Sequence, residues 1–357
     1  MILTKSNRRQ VPRWQRELAR AITDPVELLQ ELDLDLERSW PARAAAARFP
    51  LRVPRGFVAR MRKGDPDDPL LRQVLPLAAE LAPAPGFVAD PVADGSARAA
   101  PGVLHKYQGR ALLVVTGACA VHCRYCFRRE YPYAEHQAGA AEWRPALAYL
   151  AGDASIREVI LSGGDPLSLS DRRLDALLAR LDRIPHLQRL RIHSRQPVVL
   201  PERVDDGLLD VLAKTRLRPV LVIHANHPRE IDETVREALE RLAAAGLTLL
   251  NQSVLLRGIN DDAAVLAELS EVLFAARVLP YYLHLLDRVR GAAHYEVNES
   301  EASAIMDRLL RLLPGYLVPR LVREQPGYPA KVPVGSASAK PWLASDFWPS
   351  VEVGTRV

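Results

Sequence analysis

The chain has 357 residues, of which 48% are hydrophobic and 25% charged, and this predicts a globular α/β protein with a sizeable core. It has no apolar run long enough for a membrane span and no secretory signal, so we expect a cytoplasmic protein with no membrane partner. The net charge is +5, but the arginines are scattered singly among acids, which does not favour direct binding of nucleic acid.

Residues 1–100 are predicted to form a helical lobe followed by an extended wrap. Apolar residues recur at helical spacing from Trp14, and the run from Thr23 to Glu27 is typical of a helix start, with a cap, a proline and then an acid. From Val53 to Gly102, proline, glycine and aspartate are frequent, which favours turns and extended chain.

Residues 101–315 alternate short apolar runs with amphipathic helical segments. This alternation predicts a parallel sheet buried on both faces. Curled, such a sheet is a partial (β/α)6 barrel, and flat, it is a doubly wound sheet. In both, functional groups are expected at the carboxyl ends of the strands. The predicted strands are 112–116, 158–161, 190–193, 220–224, 248–253 and 279–284, and the predicted helices are 171–181, 205–213, 230–244, 261–274 and 300–313.

The last segment, 316–357, is rich in proline and is predicted to be irregular. It ends with Trp342 and Trp348, and its last dozen residues are expected to be disordered.

All the cysteines, Cys119, Cys123 and Cys126, lie within eight residues directly after the first predicted strand. An odd number so close together cannot form a disulfide framework, and one structural zinc would need a fourth ligand. Three thiolates can instead hold a [4Fe–4S] cluster and leave one iron open to a ligand other than protein. The C-x3-C-x2-C spacing resembles the signature of the radical S-adenosylmethionine enzymes, in which S-adenosylmethionine chelates that iron.

Polar residues follow the next strands at the same expected edge of the sheet. Paired glycines let the backbone approach a ligand closely, and the resemblance implies that the motif containing them binds the amino group of S-adenosylmethionine. For each residue the alternative is simple capping of a strand end. The cofactor-binding candidates are Ser162, Gly163, Gly164 and Asp165 after the second strand, His193, Ser194 and Arg195 at the third, Gln252 at the fifth, and Arg110.

Two histidines, His224 and His227, follow the fourth strand together with Asn226. A metal site there lacks a third ligand, so contacts with substrate or cofactor are preferred.

Only six of the 48 basic residues are lysines, and one of them, Lys331, lies in a loop of proline and glycine. An amine held in such a loop suits attack on a carbonyl, as in the covalent linkage to pyridoxal phosphate. The alternative is an ordinary lysine in solvent.

From about residue 101 to 334 the chain resembles the lysine 2,3-aminomutase family. The resemblance implies a partial radical S-adenosylmethionine barrel, migration of an amino group of L-lysine, and three cofactors: a [4Fe–4S] cluster, S-adenosylmethionine and pyridoxal phosphate. It further implies that Lys331 carries pyridoxal phosphate, that Arg128 holds the substrate carboxylate, and that Asp287 and Glu324 hold the side-chain ammonium. The family commonly has aspartate where Glu324 stands. The matching motifs are His105-Lys-Tyr, the cysteines with Phe127-Arg-Arg, Ser162-Gly-Gly-Asp, Ile192-His-Ser-Arg, Asn251-Gln-Ser-Val-Leu-Leu, Tyr281-Tyr-Leu-His-Leu-Leu-Asp and Pro326-Gly-x-x-x-Lys.

No cysteine follows Cys126, so the zinc-binding tail of the family's metabolic enzymes is absent. Four further motifs look like the branch that makes β-lysine for the modification of translation elongation factor P: Thr23-Asp-Pro-Val-Glu-Leu-Leu, Leu51-Arg-Val-Pro-Arg, Gly64-Asp-Pro-Asp-Asp-Pro-Leu-Leu-Arg-Gln-Val-Leu and Gly291-Ala-Ala-His. This implies a functional link to that factor and its lysyl-ligase, and an electron donor such as flavodoxin or ferredoxin. The alternatives are a catabolic lysine or glutamate 2,3-aminomutase, the latter needing a cation where Asp287 and Glu324 stand, and a basic Fe–S protein that binds RNA.

Overall fold

The computed structural model describes residues 11–136 and 143–335. Lys340, Trp342, Trp348 and the last dozen residues, for which disorder was predicted, lie outside the described residues. No helix in the described part of the chain is both long and apolar enough to cross a bilayer.

One ten-stranded sheet forms the centre of the molecule, with its strands in chain order from edge to edge. The seven central strands, from the third to the ninth, are all parallel to their neighbours. The first two strands and the last strand pair antiparallel at the two edges. The strands are β1 Arg98–Ala100, β2 Val103–Tyr107, β3 Arg110–Thr116, β4 Glu158–Gly163, β5 Arg189–Ser194, β6 Arg218–Ile223, β7 Thr248–Val254, β8 Leu279–His284, β9 Arg320–Arg323 and β10 Val332–Pro333.

The six predicted strands are confirmed as β3 to β8. The prediction that residues from 316 onward are irregular is wrong for the described part, because β9 continues the parallel sheet and β10 pairs with β9. β9 has only four residues, with arginine at both ends and two buried positions between them. So short a strand leaves too little alternation for a sequence pattern to detect.

The predicted helices are confirmed. Four of the five begin after a side chain that caps them, and the exception is Asp171–Leu181, where Ser170 makes no capping hydrogen bond. Asp232 and Asp262 accept backbone N–H bonds at the starts of Glu233–Ala244 and Ala263–Ala275, so these helices begin later than predicted. In the N-terminal lobe Asp24 caps α2 and Pro25 occupies its first position, as predicted. The helices are α1 Arg13–Ala19, α2 Pro25–Glu31, α3 Ser39–Arg48, α4 Arg55–Val58, α5 Tyr133–His136, α6 Trp143–Gly152, α7 Asp171–Leu181, α8 Gln196–Val199, α9 Asp206–Lys214, α10 Glu233–Ala244, α11 Ala263–Ala275 and α12 Glu299–Leu312.

The sheet is curled. The hydroxyl of Tyr107, at the end of β2, donates a hydrogen bond to Glu324, directly after β9, over 2.5 Å. These strands are seven positions apart in the sheet, so a flat sheet with about 4.8 Å between strands would separate them by about 34 Å. The contact therefore excludes the flat doubly wound alternative and establishes the partial barrel.

The outer face of the barrel packs against helices through a continuous apolar core that includes Leu113, Val159, Ile192 and Leu221. The N-terminal lobe has its own core, in which Trp14 and Phe57 pack together with Val121 of the cysteine loop. The lobe therefore covers the carboxyl edge of the sheet where the cysteines lie. The division of the chain into domains 1–100, 101–315 and 316–357 remains a prediction, and the sheet runs across both boundaries.

Candidate active site

The three cysteines are free thiols, each partly exposed, in the loop that follows β3. The N-terminal lobe holds the backbone of this loop, because the N–H groups of His122 and Arg124 bond to the carbonyls of Arg52 and Gln73, each over 2.9 Å. Burial, and then the neighbouring thiol of Cys123, raise the pKa of Cys126 to about 11. The thiols are thus close enough to repel one another when ionised, and a bound metal would reverse that preference.

No three His, Cys, Asp or Glu side chains within 11–136 and 143–335 converge closely enough to hold a single metal ion. A [4Fe–4S] cluster does not need such convergence, because each cysteine binds a different iron. The three thiols on one loop therefore fit a cluster better than a single ion.

Arg195 lies against the cysteine loop. Its Nη1 donates to Sγ of Cys123 over 2.8 Å, and its Nη2 donates to Gln73 over 2.5 Å and to Glu230 over 2.9 Å. Glu230 is fully buried, and burial would raise its pKa, but Arg195 and several N–H donors outweigh this and lower it. A guanidinium fixed in this way supplies positive charge to a cluster whose thiolates are negative.

The paired glycines after β4 face the cysteine loop at very short range. A Cβ atom on Gly163 would lie 2.5 Å from the carbonyl oxygen of Thr116, and one on Gly164 would lie 2.4 Å from that of Ala118. The N–H of Gly164 donates to Thr116 over 2.7 Å. The close approach that these glycines permit is therefore to the loop that carries the cysteines. Binding of the S-adenosylmethionine amino group here remains a prediction.

Asp165 ties the ends of β4 and β5 together. Its carboxylate accepts from the hydroxyl of Ser194 over 2.7 Å and from the backbone N–H groups of Arg195, Gln196 and Leu167 over 2.9 to 3.1 Å. Asp165 and Ser194 are both buried and are hydrogen-bonded to each other. They hold the strand ends together, and their role in binding a cofactor remains a prediction.

Histidine rings occupy the inner face of the barrel. The rings of His193 and His224 lie 5.9 Å apart, and those of Tyr282 and His284 lie 5.6 Å apart. Nε2 of each histidine is buried and has no hydrogen-bond partner in the described structure. Burial, followed by nearby cations that include Lys331, lowers the pKa of all three, that of His224 to about 4. These neutral rings with unpaired nitrogens are what a ligand in the barrel would contact.

His227 is not one of the histidines on the inner face of the barrel. Its Nδ1 accepts the backbone N–H of Arg229 over 3.2 Å and caps a helical turn. Asn226 is bonded to Tyr125 and Gln73. The two histidines near the fourth strand end are therefore not a pair, and His224 is the one inside the barrel.

Lys331 and Glu324 face each other across the β9–β10 hairpin. Val332 pairs with Arg323 in antiparallel register, so Lys331, just before β10, lies beside Glu324, just after β9. Nζ of Lys331 donates to Glu324 over 3.0 Å. The loop turns at Gly327, whose φ is +81°. Arg323, the residue before Glu324, pairs with Glu299 over 2.8 Å and not with Glu324.

Arg128 lies two residues after Cys126. Its Nε donates to Asp94 over 2.7 Å and its Nη1 donates to Ser162 over 3.0 Å, so Nη2 is the nitrogen for which the described structure shows no acceptor. Lys106 also pairs with Asp94, over 2.7 Å, and lies 3.8 Å from Glu324. The predicted carboxylate-binding and ammonium-binding residues therefore belong to one connected group.

Asp287 follows β8 and lies within electrostatic range of Lys331 and Glu324. Its pKa is raised to about 7, mainly by burial and also by the charges of Glu324 and Asp94, while Lys331 and Lys106 oppose the rise. For Glu324 burial acts in the same direction, but Lys331 and the Tyr107 hydroxyl outweigh it and lower the pKa. Glu324 is therefore ionised near neutral pH, whereas Asp287 is partly protonated there.

The remaining candidates lie at different heights in the barrel. Arg110, at the start of β3, stacks over the ring of Tyr107 at 4.5 Å, and the hydroxyl of Tyr107 donates to Glu324. Gln252 is on β7, partly buried, on the inner face of the barrel next to the histidines. Their role in binding a cofactor remains a prediction.

Sequence reasoning missed four buried acids and amides that hold the site, Asp94, Glu80, Gln73 and Glu230. Glu80 accepts from Arg124 over 2.6 Å and from Arg129 over 2.7 Å, on either side of Cys126. The available signal was the excess of arginine in the cysteine loop, because buried guanidinium groups require carboxylate partners. That signal calls for acids but does not say which ones.

Comparison with known proteins agrees with this site. The model of the Radical SAM superfamily matches residues 113–269. A protein named L-lysine 2,3-aminomutase from Escherichia coli K12 is 53% identical over 322 residues, which are 90% of this chain and 94% of that protein. One of the same name from Haemophilus influenzae is 49% identical, covering 90% and 96%. One from Clostridium subterminale is 36% identical, covering 90% of this chain and 77% of that protein.

A curled parallel sheet with a three-cysteine loop after its first parallel strand defines a radical S-adenosylmethionine enzyme. At this level of identity over nine-tenths of its length, the chain belongs to the L-lysine 2,3-aminomutase family. Enzymes of this superfamily use a [4Fe–4S] cluster and S-adenosylmethionine, and the lysine 2,3-aminomutases also use pyridoxal phosphate. The cysteine loop with Arg195 fits the cluster, and the unpaired imidazole nitrogens beside Lys331 fit an aromatic cofactor inside the barrel.

Proposed function

We propose that this protein converts L-lysine to β-lysine by moving the amino group from C2 to C3. The observation that carries the proposal is the charge pattern of one pocket, with Arg128 at one end, Asp287 and Glu324 at the other, and Lys331 beside the acids. The family membership supports the same assignment.

The substrate has a carboxylate at one end and an ammonium at the other, and each end meets the opposite charge. Arg128 binds the α-carboxylate, and Asp287 with Glu324 binds the ε-ammonium. When bound, the cluster, S-adenosylmethionine and pyridoxal phosphate supply the one-electron chemistry and a conjugated system that accepts the migrating nitrogen. The protein positions the reacting carbons and excludes water, with the lobe covering the rim and neutral histidines lining the interior.

Lys331 is the amine that carries pyridoxal phosphate. Of the two lysines in the pocket, Lys106 is occupied by the carbonyl of Val92 over 2.6 Å and by Asp94 over 2.7 Å, with Glu324 at 3.8 Å. Lys331 has one described hydrogen-bond partner, Glu324, whereas the two side chains are about equally exposed, 23% for Lys331 and 20% for Lys106. Lys331 is therefore the lysine whose amine is held by fewer partners.

The same charges weigh against the alternatives. A glutamate mutase would place a second substrate carboxylate against Asp287 and Glu324, which like-charge repulsion disfavours. For an RNA-binding role, Arg128 and Arg195 are buried and paired with carboxylates, so they offer no free cation to a phosphate backbone.

The test is turnover. Protein reconstituted without oxygen with iron, sulfide, pyridoxal phosphate, S-adenosylmethionine and a reductant should convert ¹⁵N-labelled L-lysine to labelled β-lysine, detected by mass spectrometry. A Cys126→Ala variant is the control. Cleavage of S-adenosylmethionine by the parent without any β-lysine would refute the assignment.

We further propose that the β-lysine serves to modify translation elongation factor P through a partner ligase, with flavodoxin or ferredoxin as electron donor. The chain is 53% identical to the Escherichia coli relative and 36% identical to the clostridial one, so it is more similar to the first of these two. The need to keep three cysteines reduced supports a cytoplasmic location. Deleting the gene should leave the factor without β-lysyl mass, and a normally modified factor would contradict the link.

A further inference from the structure

Asp94, in the turn before β1, is a buried carboxylate between two cations. It is 2% exposed, its Oδ2 accepts from Nε of Arg128 over 2.7 Å, and its Oδ1 pairs with Nζ of Lys106 over 2.7 Å. Burial alone would raise its pKa, but Arg128 and Lys106 outweigh burial and lower it. Asp94 is therefore an ionised bridge and not a neutral spacer.

Lys106 continues the bridge towards the other end of the pocket. Its ammonium bonds to the carbonyl of Val92 over 2.6 Å and to Asp94, and it lies 3.8 Å from Oε1 of Glu324. Arg128, Asp94, Lys106 and Glu324 thus form a row of alternating charges. The row connects the group that binds the substrate carboxylate with a group that binds its ammonium.

The row also fixes the orientation of Arg128. Asp94 accepts a hydrogen bond from Nε of Arg128, and Ser162, near the end of β4, accepts one from Nη1. An arginine side chain is long and flexible, so a contact at only one nitrogen would leave it free to turn. With two nitrogens held from different elements, its remaining nitrogen is left at one position.

We propose that Asp94 is a positioning residue that sets the orientation of Arg128 and its separation from Glu324, and so selects the chain length of the diamino acid substrate. This rests on the proposed function, in which Arg128 and Glu324 bind the two ends of lysine. A row held at fixed length favours lysine over ornithine, which is shorter by one methylene. If the row is loosened, the protein should bind lysine and ornithine with more similar affinities.

The change Asp94→Asn breaks one link of the row. The amide keeps one oxygen for Arg128 but turns an NH2 donor towards the ammonium of Lys106, which is itself only a donor. Asp94→Glu keeps the charge and should restore part of the effect. Lys106→Met breaks the second link while leaving Asp94 on Arg128, and it keeps the test available if Asp94→Asn folds poorly.

The experiment measures binding of lysine and of ornithine by calorimetry to the proteins loaded with pyridoxal phosphate, and kcat and KM of the fully reconstituted ones. For Asp94→Asn we expect the affinity for lysine to fall at least about tenfold, and the loss of kcat/KM to come mainly from a higher KM. The ratio of the affinity for lysine to that for ornithine should also fall at least about tenfold. Lys106→Met should lower the ratio with a smaller loss of lysine affinity. Glu299→Gln, which removes a surface partner of Arg323 next to Glu324, is the matched control and should leave the ratio unchanged.

A ratio within about threefold of the parent in both variants, or equal losses for the two substrates, would overturn the proposal. Tighter lysine binding by Asp94→Asn would also overturn it, because Asp94 would then compete with the substrate for Arg128. A parent that binds lysine but does not convert it refutes the proposed function, while the binding ratio still decides the role of Asp94. A parent that binds neither amino acid refutes both.

Discussion

Replacing Asp287 by asparagine should make the stability of the cofactor-free protein less dependent on pH. Burial raises the pKa of Asp287 from 3.8 to about 7. The folded protein therefore holds this proton more tightly than the unfolded chain does. The resulting stabilisation is fully present below pH 3.8 and is lost as the pH rises through 7. Asparagine carries no charge at any of these pH values, so the variant lacks this loss.

The magnitude follows from the shift. At 1.36 kcal/mol per pKa unit, a shift from 3.8 to about 7 corresponds to about 4 kcal/mol in all, of which about 2.5 kcal/mol falls between pH 5 and pH 8. The side chain is partly exposed, so solvent screening makes this an upper limit, and we expect about 1 to 2.5 kcal/mol. At about 2 °C per kcal/mol for a chain of this length, the difference in Tm between Asp287→Asn and the parent should grow by about 2 to 5 °C from pH 5 to pH 8.

The assay is thermal unfolding of both proteins, followed by circular dichroism without cofactors at pH 5 and pH 8. Glu299→Gln is the control, because it removes a carboxylate from an exposed ion pair. Parallel pH profiles for Asp287→Asn and the parent would refute the reasoning, since Asp287 would then titrate normally in the folded protein. The same variant should lose lysine turnover, so the stabilised state is the inactive one.

Three further outcomes follow from the site. Cys126→Ala should abolish reductive cleavage of S-adenosylmethionine, measured as release of 5′-deoxyadenosine, and retained cleavage would exclude a three-cysteine cluster. Glu324→Gln should lower kcat/KM for lysine by about 30-fold to several thousand-fold, because an ammonium left underpaired costs about 2 to 5 kcal/mol; a change within about threefold would leave Asp287 as the whole clamp. Borohydride reduction of the protein loaded with pyridoxal phosphate should label Lys331 in a peptide map, and a label on Lys106 would contradict the assignment of the reactive lysine.

Local features of the molecule could be predicted from the sequence. The parallel strands β3 to β8 were visible because each is a buried apolar run between amphipathic helices, and helix starts were visible where a side chain caps the backbone, as at Asp24. The cysteine loop was visible because its three ligands lie within eight residues. The roles of Lys331, Arg128, Asp287 and Glu324 came from the family resemblance, and the structure brings these residues into one pocket.

The sequence by itself determined the strands, the caps and the cluster loop, because those depend on residues close together in the chain. Only the tertiary structure decided which side chains contact one another in the site. Tyr107 meets Glu324 across 217 positions of sequence, and Arg195 meets Cys123 across 72. Both contacts exist because the sheet curls and brings strand ends together, and no local pattern encodes that closure. Asp94 shows the same limit, since in the sequence it is one more acid in a turn-rich segment, and only the barrel places it between Arg128 and Lys106.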